Sequence, residues 1–235
     1  MRVDNQLAYV LHHYPFRDSS QILEVITRDH GRISIMSRGS LGARSKLKSV
    51  LQLFRLLNIS WIGKGDMPTL TSAELVANTP QLLNGKNFAS GFYLNELLLH
   101  FLHRHDVQET IFKLYMETIS ALAAETDAVE IVLRLFEKQL LDELGLGLNL
   151  THDADSGSSL DEFMHYVFRV EHGPILSSAA GATTSLPIVS GKSLQALARH
   201  DLSDVDVRRE IKILMRYILA HYLAGKPLKS RELFR

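Results

Sequence analysis

The sequence predicts an α+β protein: a five-stranded barrel at the N-terminus, then a mainly α-helical domain with a small β-hairpin inserted in it. Two changes of texture carry this prediction. Up to residue 79 the apolar residues fall in short runs rich in β-branched and aromatic types, and from residue 80 they recur every three or four positions. A brief return to alternation near residue 165 marks the hairpin.

The N-terminal runs are LAYVLHHY (7–14), QILEVITR (21–28), GRISIMSR (31–38), LQLFRLLNISWI (51–62) and TLTSAELV (69–76), with turn chemistry in RDHG and GKGD. Five short strands without helices in this length fit a small closed barrel, of which the five-stranded OB barrel is a common nucleic-acid-binding kind. The strand count by itself leaves other small barrels open. After NTPQ (78–81) the stretches 87–105, 107–125 and 128–145 read as helices, the last with Val129, Val132, Phe136, Leu140 and Leu144 along one face. Gly145 and Gly147 end it, and the polar stretch THDADSGSS (151–159) leads into a hairpin over 162–178 that turns at His172 and Gly173. Two more helices follow. Ser190 and Ser203 are placed to cap them, the second with Asp206 three residues on, and Gly225 with Pro227 closes the last. The expected domains are therefore 1–79 and 80–235, the second holding the inserted region 146–182 and a basic C-terminal segment, 225–235.

With 46% hydrophobic and 22% charged residues, the composition is that of an ordinary soluble globular chain. The absence of Cys excludes disulfides, thiol nucleophiles and cysteine-ligated metal, and suits a reducing cytosol. The most apolar windows, such as LNELLLHFL (94–102), are too short and too charged to span a membrane, and no secretion signal is visible at the start. A cytoplasmic protein without membrane contact is expected.

The net charge of zero hides an uneven distribution. Residues 1–79 hold 10 Lys+Arg against 6 Asp+Glu, residues 80–172 hold 6 against 15, and residues 173–235 hold 10 against 5. A polyanion is attracted to the two ends and repelled by the middle. Within the first part, RGSLGARSKLK (38–48) concentrates Arg38, Arg44, Lys46 and Lys48 without an acid, and Gly39 and Gly42 keep its backbone adaptable. In GRISIMSR the strand period puts Arg32, Ser34, Met36 and Arg38 on one face and Ile33 and Ile35 on the other, so the arginines are expected to be exposed and the isoleucines buried. Cations in this pattern suit a surface that lies along phosphates, and a merely solvated loop is the competing reading. Tyr9, Tyr14, Phe16, Phe54 and Trp61 are candidate stacking surfaces for bases. Most are expected in the core of so small a barrel, with Tyr14 and Phe16, beside Arg17, the best exposed candidates. The tail supplies Lys226, Lys229, Arg231 and Arg235, either as a DNA-facing end or as a cover for the barrel in which Leu228, Leu233 and Phe234 dock.

Chemistry of other kinds finds little support. His100, His103, His105 and Asp106 are close in sequence, but on a helix His105 lies about 160° round from His103. This is poor metal geometry. The loop with Asp153, Asp155 and Gly157 departs from a calcium loop at Ser158 and Met164. SGKS (190–193) lacks the earlier glycine of a phosphate loop and reads as a helix start.

The segments AYVLHHYPFRDSSQILEVITRDHGRI, LKSVLQLF, SGFYLNELL, LRLFEKQLL and GKPLKSRELFR resemble the RecO family of bacterial DNA repair and recombination mediators over nearly the whole length, the last most specifically. The resemblance implies an N-terminal OB domain paired with a helical one, binding of single- and double-stranded DNA, and annealing of complementary strands without nucleotide hydrolysis. It implies as partners RecR, single-strand binding protein and, indirectly, RecA, in a cytoplasmic, nucleoid-associated protein that is not an enzyme and needs no cofactor. By the same resemblance Arg38, Arg44 and Lys48 match the family's basic barrel segment, and Lys226, Lys229 and Arg231 its C-terminal motif. Arg134, with Lys138 one turn on, stands where the family has an arginine that receives the acidic, Phe-ending tail of single-strand binding protein. From the residues alone Arg134 reads as an exposed helical arginine paired with Glu130 or Glu137. Many members carry a four-cysteine zinc module between the third helix and the hairpin. Here 146–182 is expected to hold its shape by packing, without metal. The competing readings of function are a protein-interaction adaptor with only incidental DNA contact, and a metal-dependent hydrolase built on the His100 cluster.

Overall fold

A computed structural model describes residues 1–77, 83, 85–124, 128–178 and 186–234, without the side chains of Lys86, Arg231 and Phe234. The expected boundary at 79/80, residues 179–182 of the expected insertion, the side chain of Arg231 and the whole of Arg235 lie outside what it describes. The chain forms two compact units, Met1–Asp127 with Leu228–Arg235, and Ala128–Pro227.

The first unit is built on five strands, β1 (Arg2–Phe16), β2 (Ser20–Thr27), β3 (Gly31–Ser37), β4 (Leu57–Ile62) and β5 (Thr69–Leu75), with one helical turn, α1 (Leu47–Val50), between β3 and β4. They close into a barrel in the order β1-β2-β3-β5-β4. Closure depends on β1. Its first half pairs with β4 and its second half with β2, with register shifts between Val3 and Gln6 and between Val10 and His12 that bend it round the corner. The last seam is short: β3 meets β5 in parallel at Met36 and Thr69, where the Met36 N–H donates to the Pro68 carbonyl at 2.8 Å. Alternate residues point inward, so Val3, Ala8, Val10, Leu23, Val25, Ile33, Ile35, Leu57, Ile59 and Trp61 fill the interior.

The fourth strand differs from expectation. Extended structure starts at Leu57 rather than Leu51, because the backbone turns at Phe54 (φ 63°) and drops its buried ring against Phe88 and Phe92, at 5.4 and 5.5 Å between centroids. Those rings belong to α2 (Gly85–Phe101), which with α3 (Glu109–Ala123) packs in the same unit as the barrel. Tyr9 faces these helices from β1, 5.9 Å from Phe112 and 5.0 Å from Tyr115. Desolvation pushes its phenol up to about 12. Tyr9, Phe54 and Trp61 are thus core residues, whereas Tyr14 and Phe16 remain 45% and 37% exposed.

The second unit contains α4 (Val129–Glu143), a three-stranded sheet of β6 (His165–Arg169), β7 (Gly173–Leu176) and β8 (Ile188–Ser190) in the order β7-β6-β8, and then α5 (Gly191–Ala198) and α6 (Val205–Tyr222). The hairpin is β6–β7, with Glu171 (φ 67°) and Gly173 (φ 113°) in its turn; β8 is a third strand that the periodicity did not show. Ser190 caps α5, accepting the Ser193 N–H at 3.2 Å. Ser203 does not cap α6. Its hydroxyl donates to Asp201 at 2.7 Å, and the cap is Asp204, which accepts the N–H groups of Asp206 and Val207. The buried face of α4 is also rotated from the expected one: Val129 and Val132 are half-buried, while Leu133, Arg134, Phe136, Glu137, Leu140 and Leu141 turn inward. In the loop before the sheet, Asp153 accepts from the amides of Ser156, Leu176 and Asp155, and these bonds hold its carboxyl below the usual range and tie the loop to β7.

Candidate nucleic-acid interface

The basic loop between β3 and α1 is a built surface rather than a slack one. The Leu41 amide donates to the Ser19 carbonyl at 2.9 Å and the Gly39 amide to the Ser20 hydroxyl at 3.4 Å, so the loop is pinned to the turn between β1 and β2. Within it, Gly42 donates to Gly39 and Ser45 to Gly42, and the Ser40 hydroxyl donates to the Ser37 carbonyl. With the backbone thus occupied, Arg38, Arg44, Lys46 and Lys48 all point to solvent, and none pairs with an acid among the described residues. The hairpin end that anchors the loop also carries the exposed aromatics. Tyr14 lies opposite Ile22 and Phe16 opposite Ser20, Arg17 sits 5.2 Å from the centre of the Phe16 ring, and His12 and Tyr14 stack at 4.3 Å with 7° between their planes.

Arg32 is a correction. Strand alternation puts it on the face opposite Ile33 and Ile35, as expected, but that face is covered and the side chain is 15% exposed. Its guanidinium donates to the Leu99 carbonyl near the end of α2 and lies 3.6 Å from Glu24, while the Arg32 carbonyl accepts the His105 amide at 2.9 Å. Glu24, buried on β2, also takes Arg104 at 2.6 Å and the Ser34 hydroxyl. The polar face of β3 is therefore an internal ion cluster, and Arg32 does not face solvent.

Beside this cluster is a cleft of about 780 Å³, formed by β1, β2, β3, the loop between β4 and β5, α2 and the C-terminal 3-10 helix Lys229–Phe234. Its rim carries His12, Tyr14, Met67, His100, Arg104 and Lys229. The 3-10 helix is held by Glu96 of α2, which accepts the amides of Lys229 and Ser230 at 2.8 and 2.9 Å and the Ser230 hydroxyl at 2.6 Å. Burial raises the Glu96 carboxyl, but these bonds outweigh it and leave it below the usual range. The tail is thus a cover for the cleft as well as a basic segment: Leu228 is buried, Leu233 lines the cleft while largely exposed, and Lys226 and Lys229 are exposed.

In the second unit Arg134 is buried, 7% exposed, and its Nη2 lies 2.6 Å from Glu137, which is fully buried. The exposed helical arginine of the residue-only reading is not found, although Glu137 is the partner it named. Lys138 lies 2.8 Å from Asp142. Of the histidine cluster, His105 lies 3.8 Å from Asp66 and His100 helps to hold the Glu96 carboxyl down, and no three His, Asp or Glu side chains converge among the described residues.

Residues 1–79 match the family described as Recombination protein O N terminal, and residues 82–232 match Recombination protein O C terminal. The chain belongs to the RecO family. It is 44% identical to the DNA repair protein RecO of Dechloromonas aromatica, over 100% of this chain and 96% of the relative. It is 40% identical to that of Nitrosospira multiformis, again over 100% and 96%, and 39% identical to that of Cupriavidus metallidurans, over 99% and 77%. In this RecO chain the break between the matched segments falls where the period of the sequence changes. Periodicity does not show the cleft, because its rim is drawn from separate segments, and Arg104 lies within HFLHRHD with no local signal that marks it.

Proposed function

We propose that this RecO-family chain is a non-enzymatic DNA repair and recombination mediator that binds single- and double-stranded DNA, anneals complementary strands and, with RecR, helps load RecA onto DNA coated with single-strand binding protein. The observation that supports this best is the row Arg38, Arg44, Lys46 and Lys48, exposed, unpaired with acids among the described residues and joined to the hairpin end that presents Tyr14 and Phe16. A cationic track beside stacking surfaces is how single strands are held without reading their sequence. Lys226, Lys229 and Arg231 add cations from the tail. Arg32 contributes indirectly, by building the face on which the cleft rests.

Capture of the acidic tail of single-strand binding protein is assigned to Arg134 and Lys138. Both already face an acid on their own helix, and Arg134 is buried with its Nε and Nη1 making no hydrogen bond among the described residues, so an incoming carboxylate has to compete with Glu137 or Asp142 for these cations. The binding is therefore expected to be weaker than an unpaired arginine would give.

The test is annealing of complementary oligonucleotides coated with single-strand binding protein, with chelator and without ATP. Fast annealing that fails when Arg44, Lys46 and Lys48 are all alanine supports the mediator. A folded protein that neither anneals nor binds DNA, yet holds a protein partner independently of salt, replaces it by an adaptor.

A further inference from the structure

The cleft beside β1 gathers, from separate parts of one unit, groups that suit one kind of ligand. Four of its rim residues carry a positive or protonatable group: Arg104, 47% exposed, with Lys229, His12 and His100. Its two acids are spent, Glu24 buried beneath Arg104 and Arg32, and Glu96 taken up by the amides of the tail. The rest of the lining mixes Ser34, Asn95 and Ser230 with apolar and aromatic side chains, among them the exposed Tyr14 ring, stacked on His12, Met67 of the β4–β5 loop and Leu233 of the tail. Cations beside an open aromatic face suit an anion joined to a flat ring.

We propose that this cleft takes one nucleotide unit of a single strand, its base splayed out against Tyr14 and its phosphate held by Arg104 and Lys229. The proposal rests on the DNA-binding reading above and adds to it a site that distinguishes strands. The basic loop is pinned to the turn of the β1–β2 hairpin that carries Tyr14, so on this proposal a strand whose phosphates run along Arg38 to Lys48 continues over Tyr14 toward the cleft. Only an unpaired base can leave its stack to enter at low cost. The loop then serves single strand and duplex alike, and the cleft serves the single strand alone.

The experiment is photo-crosslinking of the full chain to an oligonucleotide carrying 5-iododeoxyuridine, with the linked residues mapped by mass spectrometry. Linkage to Tyr14, His12 or Met67 in the single strand and not in the duplex is the expected result. Tyr14→Ala is expected to weaken single-strand binding about 5- to 150-fold, the loss of one stacked base. It should leave duplex binding and the salt slope unchanged, since no phosphate contact is lost. Linkage confined to Phe16 or the basic loop, or an unchanged affinity of Tyr14→Ala, overturns the cleft while leaving DNA binding intact. Failure of any oligonucleotide to bind overturns both.

Discussion

Glu96 accepts both the amide and the hydroxyl of Ser230, a residue 134 positions further along the chain, and so fixes the C-terminal 3-10 helix to α2. Glu96→Ala is expected to release this helix with the rest of the first unit folded, at a cost of about 1.5 to 3 kcal/mol for bonds to a charged acceptor. Hydrogen exchange at Lys229 and Ser230 reads the loss directly.

The same contact depends on pH. The Glu96 carboxyl is held below its ordinary value, so its contribution is complete above that value and is lost as the pH falls through the lowered one. Protection of the Ser230 amide is therefore expected to fade on acidification below the usual carboxylate range, before the barrel unfolds, and to lose this step in Glu96→Gln. Retention of the step in that variant would place the titrating group elsewhere.

For the basic loop, replacing Arg44, Lys46 and Lys48 by alanine removes three exposed cations that make no ion pair among the described residues, so stability is expected to stay within about 0.5 kcal/mol. Single-strand affinity falls, and the slope of log affinity against log salt flattens by about 2, at about 0.7 per phosphate. A titration at several salt concentrations decides it; an unchanged slope removes the loop from the interface.

Arg134→Ala removes the cation 2.6 Å from the buried Glu137 and is expected to destabilise the second unit by about 3 to 5 kcal/mol. Arg134→Met combined with Glu137→Gln recovers most of this, because neither charge then has to be buried. Denaturant unfolding of the single and double variants tests the pair. Loss of tail-peptide binding in Arg134→Ala counts as loss of a contact only if the fold survives, and Lys138→Ala, at a less buried site, is the cleaner probe.

Gly31→Ala is expected to cost well above about 1 kcal/mol. Gly31 has φ 65°, and a Cβ there would stand 2.0 Å from the Asp106 carbonyl oxygen, so the chain beyond α2 has to move off β3. Thermal unfolding reads this, and the displaced Asp106 segment also loosens the adjacent Arg104 contact with Glu24.

The local patterns were legible in the sequence because they are set by neighbours in the chain. Runs rich in β-branched and aromatic residues specified β1 to β3, β5 and the β6–β7 hairpin, 3.6-residue periodicity specified α2 to α4, cap and stop residues marked α5 and α6, and the acid-free run Arg38–Lys48 specified a cationic loop. Alternation also separated Arg32 from Ile33 correctly. It could not say that α2 would cover the polar face, since the acid that Arg32 and Arg104 share is Glu24, which is 80 residues from Arg104. For the same reason the strand expected from Leu51 gave way to the Phe54 turn, whose ring is buried against α2, whereas Ser203 lost the cap to its own neighbour Asp204, a local competition between two capping residues. Arg134 looked like a surface cation until packing of the second unit turned it and Glu137 inward. Which residues lie on one face is determined by backbone geometry. Which faces meet, and so where the cleft opens and which charges are spent before a ligand arrives, is decided only when distant apolar surfaces are buried together.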